Sequence, residues 1–180
     1  MRKPLIIAYG NPLRQDDGVA WRAADLIEAR LPPEVVSIYR RHQLTPELSW
    51  TIYSASLVVL LDAAVTGGTE DIALTTISAH RFAAFSHDVQ PRQLLALARD
   101  LFNVNPPAFL ITANVSEFGF DDQLTPHAEH CAVLMAERTI EVLASCGYVF
   151  TTEDRRPEAT PGNPASPLKP FPRPKHGTLA

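Results

Sequence analysis

The chain has 180 residues, 46% of them hydrophobic and 20% charged, with a formal net charge of −4. That is enough apolar material for one core and one domain, and no apolar run approaches the roughly 20 residues needed to cross a bilayer. No lysine- or arginine-rich stripe appears before the C-terminal tail, which argues against a nucleic-acid partner, and no feature argues for a membrane one.

The opening MRKPLIIAYGNP turns too early for a signal-peptide apolar region, so a cytoplasmic protein is expected. The chain contains two cysteines, Cys131 and Cys146. On one helix they would stand about 22 Å apart at 1.5 Å per residue, too far for a bridge, so reduced structural thiols are expected.

Pro4 to Tyr9 is a continuous apolar run of the kind a buried parallel strand shows, and Gly10-Asn11-Pro12 stops it with turn chemistry. From Val19 to Leu31, polar Arg22, Asp25 and Glu28 recur every three positions, leaving Val19, Ala23, Ile27 and Leu31 on the other side. That pattern predicts an amphipathic helix, ended by Pro32-Pro33. Val35 to Tyr39 reads as a second strand, and Thr45-Pro46-Glu47 as a capping residue with proline at the first position of a short helix.

Leu57 to Leu61 is apolar throughout and reads as a central strand running straight into Asp62. Asp71 to Ile77 reads as a fourth strand. Its connection from the third is shorter than the dozen residues a parallel crossover needs, so it is expected to be antiparallel or not a direct neighbour. Pro91 to Phe102 predicts a helix with Leu94, Leu95, Ala98 and Leu101 on one face, and Ala108 to Ala113 a fifth strand.

Thr125-Pro126 opens a long helix to about Ser145, with Gly147 as its stop. The expected fold is an α/β three-layer sandwich: a mostly parallel five-stranded sheet with one antiparallel strand, helices on both faces, over residues 1–149. Residues 150–180 are a separate matter. They hold seven of the sixteen prolines and few aliphatics, and are expected to form a disordered tail.

In an open parallel sheet, ligands sit outside the carboxyl ends of the strands. Asp17, after the first strand, and Asp62, after the third, fall on that rim, and His87, in the loop before the Pro91 helix, can reach it. Two carboxylates and an imidazole can form one face of a coordination sphere for a borderline divalent ion. The bland alternative is that Asp16 or Asp17 caps the first helix, and that His87 is an ordinary loop histidine. Asp62 is harder to dismiss, because a charge at the end of a central strand needs a ligand or a buried partner.

Other constellations are weaker. His127, His130 and Cys131 lie at helical spacing but lack a fourth ligand. Ser86 has no legible nucleophile elbow, His80 has unhelpful neighbours, and the first loop has one glycine where a dinucleotide fingerprint needs three.

The run Gly10-Asn11-Pro12-Leu13-Arg14-Gln15-Asp16-Asp17-Gly18 resembles the opening motif of the NiFe-hydrogenase maturation endopeptidases. Leu60-Leu61-Asp62-Ala63 is similar to that family's third strand with its acidic residue, Ser86-His87 before the leucine-rich helix to its loop histidine, and Gly119 to Pro126 to its loop before the last helix. A second register would put Arg92 at the histidine position, whereas the spacing from His87 to the helix fits without a gap.

The resemblance implies an enzyme that cuts a C-terminal extension from the precursor of a hydrogenase large subunit after nickel insertion. The nickel arrives in the precursor, is not tightly held by the free enzyme, and is met by Asp17, Asp62 and His87. Asn11, Asp16, His42 and Gln43 are the candidates for contacts with the precursor, and a monomer is expected. Two departures stand out. His42-Gln43-Leu44-Thr45 replaces an aspartate-glycine-glycine-threonine run and resembles the subgroup serving bidirectional, NAD(P)-linked hydrogenases, and Ala20 stands where a second glycine is common. The alternatives carried beside this reading are a metal-dependent hydrolase of small molecules and a non-catalytic nickel-binding scaffold.

Overall fold

The structure, a computed structural model, describes residues 2–65, 67–79 and 89–148. In chain order the elements are β1 (Lys3–Tyr9), α1 (Val19–Arg30), β2 (Ser37–Arg41), α2 (Leu48–Tyr53), β3 (Ala55–Ala64), β4 (Ile72–Ile77), α3 (Pro91–Phe102), β5 (Ala108–Asn114) and α4 (Pro126–Ser145). The five strands form one sheet in the order β2-β1-β3-β5-β4. Four run parallel and β4 pairs antiparallel with β5 at the edge. The short connection after β3 thus delivers a strand that is both antiparallel and one place removed from β3, because too few residues are available for a parallel return.

Strand alternation divides the core in two. Leu57, Val59 and Leu61 of β3 join Ile6 and Ala8 of β1 against α1 and α4, while Val58 and Leu60 join Leu5 and Ile7 against α2 and α3. Helices therefore cover both faces, and β1 and β3, buried on both sides, show the unbroken apolar runs seen in the sequence. Among the described residues no helix is long and apolar enough to cross a membrane. Cys131 is buried, Cys146 exposed, and both thiols are free.

Three local readings shift. The second strand starts at Ser37 and not Val35, because the turn after Pro32-Pro33 runs on through Val35, whose N–H bonds Pro32 O at 3.0 Å. Pairing with β1, from Leu5 opposite Ser37 to Tyr9 opposite Arg41, then sets the strand's extent. Thr45 does not cap α2, which begins only at Leu48 after a turn closed by Leu48 N–H to Thr45 O at 3.1 Å. Instead the Thr45 hydroxyl, with the backbone N–H of Glu47 itself as the larger cause, holds the Glu47 carboxyl below its usual range. Finally, β3 continues to Ala64, so Asp62 lies within the strand, opposite Thr112 of β5.

The other helix ends follow the sequence. Gln90 and Gln93 form a reciprocal capping box around Pro91 at the start of α3, and the Thr125 hydroxyl accepts from Ala128 N–H at 3.1 Å to cap α4.

The loop after β1 is fastened to the segment before α4. Gln15 N–H donates to Asp121 O at 2.8 Å and Asp16 N–H to Glu117 O at 3.0 Å. The Asp16 carboxylate, 1% exposed, accepts from Thr125 N–H at 2.9 Å and from the Thr125 hydroxyl at 3.0 Å. These are charge-assisted bonds in a dry setting, and removing the acceptor strands the Thr125 donors. Asp16→Ala is expected to lower stability by about 2–4 kcal/mol in urea unfolding, with Thr125→Ala costing less. A loss below about 0.5 kcal/mol would show that the brace carries no weight.

Candidate functional site

The site is built where the strand order reverses direction. From β1 the chain goes through α1 to β2 on one side, then through α2 to β3 on the other. The crevice between the carboxyl ends of β1 and β3 is the topological switch point at which ligands of open α/β sheets bind.

At the end of β1 the chain must double back sharply. Gly10 takes φ +140, and a Cβ there would stand 2.2 Å from Asp17 O, so no other residue fits this approach. A 3-10 turn over Gln15–Gly18 follows, and the Asp17 carboxylate folds back to accept the Asn11 N–H at 2.8 Å. Asn11 spends its own side-chain oxygen on Leu13 N–H at 3.0 Å, tightening the same loop. The first residue of α1 is preceded by Gly18, and no side chain caps that helix. Neither aspartate therefore serves as its cap: Asp16 is the internal brace described above, and Asp17 is held by the loop it closes. The burial of Asp16 also withdraws it from the precursor contacts expected of it.

Asp62 reaches the crevice from the other side. Along β3 it shares a face with Val58 and Leu60, the α2/α3 side, and along β1 Tyr9 shares that face with Leu5 and Ile7. Strand register thus brings the two together. The Tyr9 hydroxyl donates to Asp62 Oδ2 at 2.7 Å and the Ala63 N–H to Oδ1 at 2.8 Å. Tyr9 was not singled out from the sequence. Its signal was the alternation Leu5-Ile7-Tyr9 beside Val58-Leu60-Asp62, which becomes readable once β1 and β3 are known to be neighbours.

The electrostatics join the two carboxylates. Burial pushes the Asp62 carboxyl from 3.8 up to about 6; the Tyr9 and Ala63 hydrogen bonds oppose the rise, and the charge of Asp17 adds to it. Tyr9 itself is driven well above its usual range, first by burial and then by the charge and hydrogen bond of Asp62. Among the described residues no Lys, Arg or His side chain forms an ion pair with Asp17 or Asp62. Two adjacent carboxylates without a basic partner, one of them half-buried, are poised to receive a cation.

The third expected donor, His87, lies outside the described residues, as do Ser86 and His80. The described part of that region places α3 with its last turn, at Phe102, beside Trp50 of α2, with Ala55 of β3 lining the same depression at the amino end of the sheet. The first turn of α3, where Arg92 is exposed, therefore faces the rim end, beginning four residues beyond His87 in sequence. His42 and Gln43 are exposed just past β2, and the His42 ring stands 5.4 Å from that of Trp21.

The helical trio at α4 gathers differently. His127 Nε2 is 2.9 Å from Asn114 O and 3.6 Å from Cys131 Sγ, while His130 turns to Asp71 at 3.6 Å. Burial, with the charges of Asp71 and Asp16, pushes the Cys131 thiol up to about 11, so it stays protonated. Among the described residues no three His, Cys, Asp or Glu side chains form a group that could hold a metal ion. The Asp17–Asp62 pair is two donors of a set that needs more.

No protein-family model and no curated protein matches the sequence. Solved structures match the fold. A [NiFe] hydrogenase maturation protease HycI from Thermococcus kodakarensis superposes with a TM-score of 0.62 at 19% identity, over 79% of this chain and 93% of that one. The hydrogenase maturating endopeptidase HybD from E. coli gives 0.62 at 20%, over 81% and 94%. A hydrogenase 2 maturation peptidase from a Thaumarchaeota archaeon gives 0.60 at 20%, over 79% and 98%. At these identities the likeness is one of fold, and it spans nearly all of each neighbour.

The raised Asp62 has a signed consequence for stability. Ionising it costs the folded chain more than the unfolded one, so its contribution is full below about pH 4 and is lost as pH climbs through about 6. Asp62→Asn has no proton to lose. It is expected to stand roughly 1–2 kcal/mol above the parent at pH 8, after allowance for partial exposure, and level with it near pH 4, read from urea melts at each pH. An equal pH dependence in both proteins would exclude Asp62 as its source. Tyr9→Phe removes a bond that favours the ionised carboxylate, so the Asp62 carboxyl carbon should titrate at still higher pH by NMR.

Proposed function

We propose that this chain is a hydrogenase maturation endopeptidase. It removes the C-terminal extension of a NiFe-hydrogenase large-subunit precursor after nickel insertion, and the nickel carried by the precursor is its recognition element. The observation that carries the proposal is the convergence of Asp17 and Asp62, with no basic partner among the described residues, in the crevice between β1 and β3. The fold shared with solved maturation proteases supports it.

The donor chemistry fits the role. Asp17 and Asp62 supply oxygen and His87 supplies nitrogen, a set suited to a borderline divalent ion whose remaining ligands are cysteines of the precursor. Bound there, the ion offers Lewis-acid polarisation to a peptide carbonyl beside it. The protein's own contribution is position. The Gly10 turn sets Asp17, and Tyr9 and Ala63 fix both oxygens of Asp62, so the donors meet their ion with little reorganisation. His42 and Gln43 flank the same rim and contact the precursor near the site, and the His42-Gln43-Leu44-Thr45 variant assigns the partner to the bidirectional, NAD(P)-linked class of hydrogenase. In this reading the protein acts as a monomer in the cytoplasm, and nickel leaves with the product.

The test is intact-mass spectrometry of a nickel-loaded large-subunit precursor after incubation with the protein, beside the nickel-free precursor. Loss of a C-terminal peptide from the loaded form alone is expected. Shortening of both forms would overturn nickel recognition, binding without shortening would favour a scaffold, and hydrolysis of small esters or phosphates with added metal would favour a small-molecule hydrolase. Asp17→Asn, Asp62→Asn and His87→Ala should each slow processing by roughly 100-fold or more, since each removes a donor. Their circular dichroism should be unchanged. Undiminished processing by any one of them removes that residue from the site.

A further inference from the structure

The end of the sheet opposite the carboxylates carries an aromatic groove. Trp50 and Tyr53 of α2 and Phe102 of α3 touch one another, with ring centroids 5.3 to 5.6 Å apart. Contacting rings of this size usually mark a core, yet Trp50 is 64% exposed and Tyr53 39%. Beside them lies a depression of about 400 Å³ that Tyr53, Ser56, Phe102 and Arg2 help to line, and the Arg2 guanidinium sits 5.5 Å over the Tyr53 ring. A second, smaller depression continues past Trp50 to Tyr39. Two exposed rings flanked by the half-buried Phe102 and Tyr39 form an apolar surface of the kind that a partner segment covers.

The chain itself points to the occupant. Tyr148, the last described residue, donates its hydroxyl to Ser56 Oγ at 2.7 Å, and Ser56 is part of the groove. Residues 149–180 therefore leave the domain at the groove's edge. In them Pro161, Pro164, Pro167 and Pro170 recur every third position, followed by Phe171-Pro172-Arg173-Pro174. A polyproline II helix has three residues per turn, so in one these four prolines would form a single ridge about 28 Å long. Exposed aromatic grooves recognise such ridges because the segment is already extended and loses little entropy on docking.

Twelve residues lie between Tyr148 and Pro161, a reach of roughly 40 Å when extended. The tether also supplies an effective concentration on the order of 1 mM, so modest affinity suffices.

We infer that the groove over Trp50, Tyr53 and Phe102 is the docking site of the chain's own proline-rich segment, residues 161–174, laid across the rings as a polyproline II ridge. The inference is independent of the chemistry at Asp17 and Asp62, which lies at the other end of the strands.

The test is photo-crosslinking of the full chain with p-benzoylphenylalanine in place of the exposed Trp50, using an equal mixture of ¹⁴N- and ¹⁵N-labelled protein and mass-spectrometric mapping. Crosslinks to residues 161–174 within chains of one label are expected. Replacing Pro161, Pro164, Pro167 and Pro170 together by alanine should lower their yield at least fivefold. Crosslinks between labels would make the occupant a second copy, and equal yields from the alanine variant would reduce the contact to tethered collision. Either result, or crosslinks confined to residues 2–148, overturns the inference.

Discussion

The adjacency of β1 and β3 is the constraint on which everything else rests. The two strands are consecutive in the sheet but not in the chain, and the connections leaving their carboxyl ends run in opposite directions, from β1 towards β2 and from β3 towards β4. Their carboxyl ends cannot be closed by one loop, so a crevice stays open between them. Into it the fold delivers one carboxylate from the loop after β1 and one from within β3. The Asp62 carboxyl is raised there, chiefly by burial and in smaller part by the charge of Asp17. Folding alone would not select a half-buried acid beside another acid.

Asp16 and Asp17 show how one loop supports two opposite demands. They are adjacent in sequence, yet one is sealed against Thr125 and the other faces the crevice. The sealed carboxylate ties the loop to the start of α4, and that fastening lets its neighbour keep a fixed place without packing of its own. Tyr9 does similar work for Asp62 from the adjoining strand. The rim is a pair of carboxylates positioned by partners one strand, or one residue, away.

The two ends of the strands then differ in kind. The carboxyl end is polar and built from main-chain turns, where glycine and aspartate dominate. The amino end presents tilted and edge-on ring contacts and the point at which the described chain finishes. A small α/β domain has two such ends, and in this one they carry unlike chemistry, so a ligand at one need not compete with contacts at the other.

Much of this was legible in the residues. Apolar runs on β1 and β3, the three-residue polar rhythm of α1, and proline after a cap at α4 are local signals governed by local sterics and burial, and those elements appear close to where they were read; the same signal at Thr45-Pro46 does not start α2, which begins at Leu48. The carboxylates were legible as chemistry because a charge closing an apolar strand has few explanations. What only the tertiary structure decided is which charges meet. That Asp16 turns inward and Asp17 outward depends on Thr125, more than a hundred residues away. That Tyr9 braces Asp62 depends on β1 lying beside β3. That Val35 belongs to a turn depends on the register with β1. Each is a pairing across the sheet or between loops, and a pattern along the chain holds no record of partners so distant in sequence.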